Sequence, residues 1–273
     1  MAKSGGMPST WRRDGAERGI RRLAMALACM LGAAGGAIAD DDASCPVPAG
    51  AAVVPVTVAA NGLVTDEQGE VVLAGVAPLA ADPMVDGTAR FVAGRIGQAF
   101  RLVPTAPSDR YGRVAGLAFE EGGGLLQADL VRSGMAVVRP DQIEEDCARG
   151  LLALESAARS ARRGLWAEAA SVWQAADDTS LLERNGLYAL VEGRIVSVGY
   201  GSRMVFLDFG RIYRTDFTVM VQEPLVSRLR EAGIPVESLA GRQVRVRGVI
   251  EESGGPAIRL ASPLALELVD PME

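Results

Sequence analysis

The chain contains no histidine among its 273 residues, and that single fact removes several kinds of chemistry. Nucleophile systems that need an imidazole are excluded, as are zinc sites built from His. What remains must rest on carboxylates, Arg, Lys, Tyr, or a metal held by oxygen. The residues that could do such work fall into a few groups. Asp109 to Arg113, DRYGR, places a carboxylate, a phenol and two guanidinium groups in five positions. Its Asp109 and Tyr111 read as turn-shaping residues that position Arg113, and Arg113 is either an anion contact or the partner of a nearby carboxylate. Asp66, Glu67 and Glu70 stand close together in TDEQGE, where a solvated hairpin turn accounts for them. Near the C-terminus, Arg245 and Arg247 alternate with Val244, Val246 and Gly248, which puts both arginines on one face of a strand. That face is either a solvent-facing Arg row or a weak binding surface for an anionic ligand. Phe206, Phe209, Tyr213 and Phe217 could add stacking platforms beside it or could be core.

The elements that must hold these residues are mostly strands. VVPVTVAA and EVVLAGV read as two strands around the turn, and AFRLVP and RVAGLAF as two more around TAPSDRYG. A short helix is predicted over Thr88 to Gln98 and another across LLQADLVRSG, with Gly134 as its left-handed terminator. A longer helix starts at Asp146. Its apolar stripe is read as Cys147, Leu151, Leu154, Ala158 and Ala161, and Arg162, Arg163 and Gly164 mark its end. Residues 187–273 then supply five strand-like runs with one helix-like insert, the count of an OB-type barrel.

The N-terminus carries a different pattern. The first 39 residues hold six of the chain's 28 basic groups and two of its 34 acidic ones, followed by LAMALACMLGAAGGAIA and an Ala37-Ile38-Ala39 site. That order is predicted to be a cleavable signal peptide, with an uncleaved anchor as the alternative. Export to the periplasm or medium follows, and no membrane-spanning segment is expected after cleavage. The remaining chain has a formal charge of −10, which gives no general attraction to nucleic acid, so strong nucleic-acid binding is not expected. Residues 187–269 hold ten basic and nine acidic groups, so this half is the better place for an anionic partner, whose identity the sequence leaves unknown. Cleavage also removes Cys29 and leaves Cys45 and Cys147, read as a disulfide, with two separate thiols as the alternative.

The blocks DRYGR, GLLQADLVRSGMAVV and SARRGLW, in this order and spacing, resemble the staphylococcal nuclease-like (thermonuclease) family over about Val53 to Trp166. The segment from LDFG through YRTDFTV to GRQVRVRG is similar to an OB-like domain that accompanies such domains in exported bacterial proteins. The resemblance implies an α+β, mainly β, architecture of an OB-type nuclease-like barrel followed by a second OB-like barrel. The organisation expected is a signal peptide at 1–39, a leader at 40–52, the nuclease-like domain at 53–166, a linker at 167–186 and the OB-like domain at 187–273.

Active members of that family hold calcium with two Asp, use a Glu as base and clamp phosphate with two Arg. Aligned with their motifs, Asn61 stands in place of the first metal-binding Asp and Val72 in place of one phosphate-binding Arg. Ala77 replaces the second Asp, Ala80 replaces the base, and Arg113 alone is retained. The resemblance therefore implies an exported pseudoenzyme without metal or cofactor, acting as a binding or assembly module at the cell envelope. Two alternatives stay open. One is a calcium-dependent endonuclease with a site rebuilt around Asp82, Asp86 and Arg113, for which alone calcium would be needed. The other is an oligosaccharide- or oligonucleotide-binding OB module.

Overall fold

The computed structural model describes residues 45–47, 52–59, 62–65, 71–77, 91–92, 94–95, 97–167, 172–212 and 214–269, with the backbone alone for 58–59, 62–65 and 165. Asp40–Glu273 forms one compact unit. Its first sheet runs in the order β2 (Gly62–Thr65), β1 (Val54–Ala59), β5 (Ala99–Pro104), β6 (Val114–Phe119), β3 (Val71–Leu73). β1 pairs antiparallel with β2 and β5, whereas β3 joins β6 in parallel. The four strands expected around the two turns are thus present in the first sheet. Of the helix expected over Thr88 to Gln98, Phe91 and Val92 are helical, and the rest is turn, irregular at Gln98, or outside the described residues.

Helix α1 (Leu126–Arg132) covers this sheet because Leu126 and Leu130, one turn apart, both point into its core with Val56, Phe100, Leu102 and Ala118. A buried Gln127 fixes the docking. Its Nε2 donates to the carbonyls of Ala74, at 3.2 Å, and Gly116, at 2.9 Å, and its Oε1 accepts from the Ala118 N–H at 3.2 Å. Gly134 ends the helix at φ +71°, as expected, and a Cβ there would lie 2.2 Å from the Arg163 carbonyl oxygen. Gly134 and Gly164 therefore let two chain segments touch backbone to backbone, which a side chain at either position would prevent.

Helix α2 (Glu145–Ser160) packs beside α1 and carries Cys147, whose disulfide to Cys45 ties the start of the described chain to the helix. The buried face of α2 is Cys147, Ala148, Leu151, Glu155 and Ala158. This corrects the expected stripe: Glu155 sits on the buried face, Leu154 is half-buried, and Ala161 is exposed.

The second sheet follows the path β10 (Ser197–Tyr200), β11 (Met204–Asp208), β12 (Thr218–Gln222), β14 (Gly255–Arg259), β13 (Gln243–Ser253), β9 (Tyr188–Arg194), β8 (Trp173–Gln174). β12 and β14 are parallel and the other pairs among β9 to β14 are antiparallel. β9 and β10 are consecutive pieces of one stretch, so that stretch borders the path at both β11 and β13. Helix α4 (Glu223–Glu231) is the expected insert, and β15 (Leu266–Leu268) pairs with β13. The alternating inward residues, among them Val205, Leu207, Val219, Val221, Val244 and Val246, fill the core. Of the 167–186 stretch, expected as a linker, residues 172–186 are built into this half. β8 pairs with β9, and Leu181 of helix α3 (Asp178–Leu182) is fully buried in the same core.

Candidate functional site

The DRYGR segment closes the loop between β5 and β6 around one carboxylate. Asp109 Oδ1 accepts the N–H of Tyr111 at 2.8 Å and of Arg113 at 3.0 Å, and Gly112 takes the left-handed φ of +81° that this turn requires. Asp109 Oδ2 accepts from Arg113 Nε at 2.8 Å and lies 2.8 Å from its Nη2. Loss of solvation works against the charge on Asp109. The backbone and side-chain bonds from Arg113 and the N–H of Tyr111 outweigh it and hold the carboxyl below the usual range. Arg113 also lies 5.4 Å from the centroid of the exposed Tyr111 ring, with Arg110 at 5.1 Å. Arg113 is thus the partner of a neighbouring carboxylate, and Asp109 and Tyr111 shape its turn.

The other positions that the resemblance sets against the nuclease motifs divide into two groups. Val72 lies half-buried in β3 opposite Ala115 of β6, one register step beyond the Val71–Val114 pair and two residues along from Arg113. Ala77 lies in β4 (Val76–Ala77), which pairs with β7 (Val137–Val138). It is 5% exposed, in an apolar cluster with Val137, Ala158 and Trp166. The same cluster includes Tyr188 and Leu190 of β9, so the second half contributes to the surroundings of Ala77. Asn61 and Ala80 lie outside the described residues, as do Asp66, Glu67, Glu70, Asp82 and Asp86.

Arg245 and Arg247 share a face of β13 as the alternation requires, but that face is neither a solvent-facing row nor an open binding surface. It packs against α2. Arg247 is 3% exposed and makes a two-pronged pair with Glu155, Nη1 to Oε2 and Nη2 to Oε1, each at 2.9 Å. The backbone of Val138 completes the arrangement: its N–H donates to Glu155 Oε2 at 2.6 Å, while its carbonyl accepts from Arg247 Nη1 and from the Tyr188 hydroxyl, each at 3.2 Å. Arg245 bonds Glu192 Oε2 at 2.8 Å and Glu267 Oε2 at 3.0 Å, and Arg159 bonds Glu267 Oε1 at 2.8 Å.

Burial alone would weaken the charge on Arg247, yet Glu155 beside it pushes its pKa up, and burial drives the Tyr188 phenol well above its usual range. For Glu267, burial works to raise the pKa, but Arg159, Arg245 and Arg247 together hold it below the carboxylate range. Three arginines and three carboxylates thus neutralise one another along the seam between α2 and the second sheet. The sequence reading missed Glu155, Arg159, Glu192 and Glu267. The available signal was Glu155 itself, a carboxylate one turn from Leu151 on the helix's apolar stripe.

The aromatic residues of the second half mostly serve the core. Phe217 is fully buried and packs in a tilted contact against Phe209 with ring centroids 5.0 Å apart, Phe206 faces the opposite side from Leu207, and Tyr213 lies outside the described residues. Among the described residues, no group of three or more His, Cys, Asp or Glu side chains is arranged to hold a metal ion, and no helix is long and apolar enough to cross a membrane.

Comparison with known families then identifies part of the first half. Residues 80–168 match the family model described as staphylococcal nuclease homologue, so the chain carries a nuclease-like domain there. No curated protein matches the chain.

Proposed function

We propose that this protein is an exported, catalytically silent nuclease homologue that serves as a binding or assembly module at the cell envelope. The observation that carries the reading is the state of Ala77. A family carboxylate at this position would need to face a hydrated cation. Here the position belongs to an apolar cluster that Tyr188 and Leu190 of the second half help to build. Arg113, the retained member of the phosphate clamp, is bound to Asp109. Val72 offers no charge, and Asn61 and Ala80 offer neither the first metal carboxylate nor a base. Losing a general base alone costs about 10²- to 10⁴-fold in rate, and losing the metal removes a further stabilising charge.

Export is supported by the basic and apolar N-terminal pattern and by the Cys45–Cys147 disulfide, a bond that persists in oxidising compartments. The test is an assay of the purified protein on single-stranded and duplex DNA and on RNA with millimolar calcium, beside Arg113→Ala and Ala77→Asp. No cleavage above background is expected from any of the three. Calcium-dependent cleavage that co-purifies with the protein and falls in Arg113→Ala would overturn the reading in favour of a rebuilt endonuclease site.

A further inference from the structure

The outer face of the second sheet carries groups that the fold does not use. Val205, Leu207, Val219, Val221 and Ile258 point into the core, so the residues alternating with them point out. The strand registers set these outward residues in rows. In one row Gly199 of β10 pairs with Phe206 of β11, Phe206 with Met220 of β12, and Met220 with Arg259 of β14. In the next, Ser197 pairs with Asp208, and Asp208 with Thr218. A half-buried phenyl ring thus stands in the middle of the face, with Asp208 two residues along its own strand and Arg259 two strands away.

Gly199 lies inside β10 without the left-handed φ that would demand a glycine, and a Cβ there would meet nothing closer than 3.7 Å. A side chain would fit, so the glycine is not explained by backbone conformation or by crowding. Its nearest neighbour is the Cβ of Phe206, and a Cβ on Gly201, just past the strand, would come within 3.2 Å of Phe206 Cε2. The two glycines therefore keep the β10 flank of the ring bare, and a glycine within a strand is a mark of close approach by a ligand.

The polar groups beside the ring suit hydroxyls better than phosphates. Asp208 already accepts from two hydroxyls, Ser197 Oγ at Oδ2 and Thr218 Oγ1 at Oδ1, each at 3.2 Å. A carboxylate has about four lone-pair sites, so each oxygen keeps one for a further hydroxyl donor. Arg259 is exposed, with Nη2 3.2 Å from Glu251 Oε1, and the rest of its guanidinium can donate to hydroxyl oxygens. The carboxylates Asp208 and Glu251 outnumber that one guanidinium, which makes the face unattractive to a polyanion.

We propose that this face binds a neutral, β-linked oligosaccharide of equatorial pyranoses. The flat C–H face of one sugar lies on the Phe206 ring, and its rim hydroxyls meet Asp208 and Arg259. An equatorial pyranose suits the site because it carries its hydroxyls around the edge of an apolar face. This deepens the reading as a binding module and rests on it. Failure of the sugar to bind removes the ligand class alone, whereas calcium-dependent cleavage would remove the module.

The purified protein is titrated with cellotetraose and with chitotetraose, followed by ¹H–¹⁵N NMR. Single-stranded decathymidylate is the competing ligand, because the exposed Arg203 and Arg211 stand in the loops at the two ends of β11. Saturable shifts in the amides of β10 to β12 are expected with at least one tetrasaccharide and not with decathymidylate. Phe206→Ala should weaken that binding about tenfold. Gly199→Leu, which covers the ring from the outer face, should abolish it while circular dichroism shows the fold retained. The assignment is overturned if neither tetrasaccharide saturates, if the shifts fall elsewhere, if either folded variant binds as the parent does, or if decathymidylate takes this face instead.

Discussion

Removing one member of the Glu155–Arg247 pair should be among the most destabilising single changes available in this protein, and removing both should do less harm. Both side chains are at most 2% exposed, so neither charge has water to fall back on. Arg247→Met leaves Glu155 bound to the Val138 N–H and 3.8 Å from Arg159, and should cost about 3–5 kcal/mol, the range for breaking a buried pair. Glu155→Leu strands Arg247 and also leaves the Val138 N–H without its acceptor, which adds about 1–3 kcal/mol. In the double variant no buried charge of the pair is stranded, and the unsatisfied N–H remains, so the loss should be only about 1–3 kcal/mol. Against a total stability of about 5–15 kcal/mol for a typical domain, either single change is severe. Urea unfolding of the four proteins, followed by Trp fluorescence with slopes compared, measures the cycle. The reasoning is refuted if either single variant loses less than about 1 kcal/mol, or if the two losses simply add in the double variant.

The Cys45–Cys147 bond closes a loop with a sequence separation of 102, for which the chain-entropy model gives about 4–5 kcal/mol. Reduction should therefore lower the melting temperature markedly, and two freely alkylated thiols in the non-reduced protein would contradict the bond. Glu267 has a folded-state pKa below its usual value of 4.5, so its contribution is present above that pH and is lost as pH falls through the depressed value. Glu267→Gln should flatten the acid limb of the stability curve, and an unaltered acid limb would sink the assignment. The second half needs more than residues 187–273, because Leu181 is fully buried and Ala175 is 5% exposed in its core. A fragment from 172 to 273 should be more stable than one from 187 to 273 by about 2 kcal/mol or more, the worth of burying one Leu, and equal urea midpoints would disprove this.

Much of the fold was legible because strands and helix ends are local. The alternation of QVRVRG predicts which residues of β13 share a face, and Gly134 lies at a positive φ because only a residue without Cβ fits where the chain meets the Arg163 carbonyl. The paired cysteines were also legible, since the predicted removal of Cys29 with a signal peptide would leave two. The assignment of α2 failed at Glu155 for a physical reason. A charged residue on an apolar stripe reads as misplaced unless its partner is known, and Arg247 stands 92 residues away.

The absence of histidine, the charge of the chain beyond residue 39, and the residue types at the aligned catalytic positions are properties of composition and order, and no folding can supply an imidazole or a carboxylate side chain to Ala77. Periodicity likewise determined that Arg245 and Arg247 point the same way. What covers that face was decided only by tertiary structure. Whether an arginine meets water, a ligand or a carboxylate depends on contacts between distant segments, and it was the docking of β13 on α2 that turned a surface row into a buried seam.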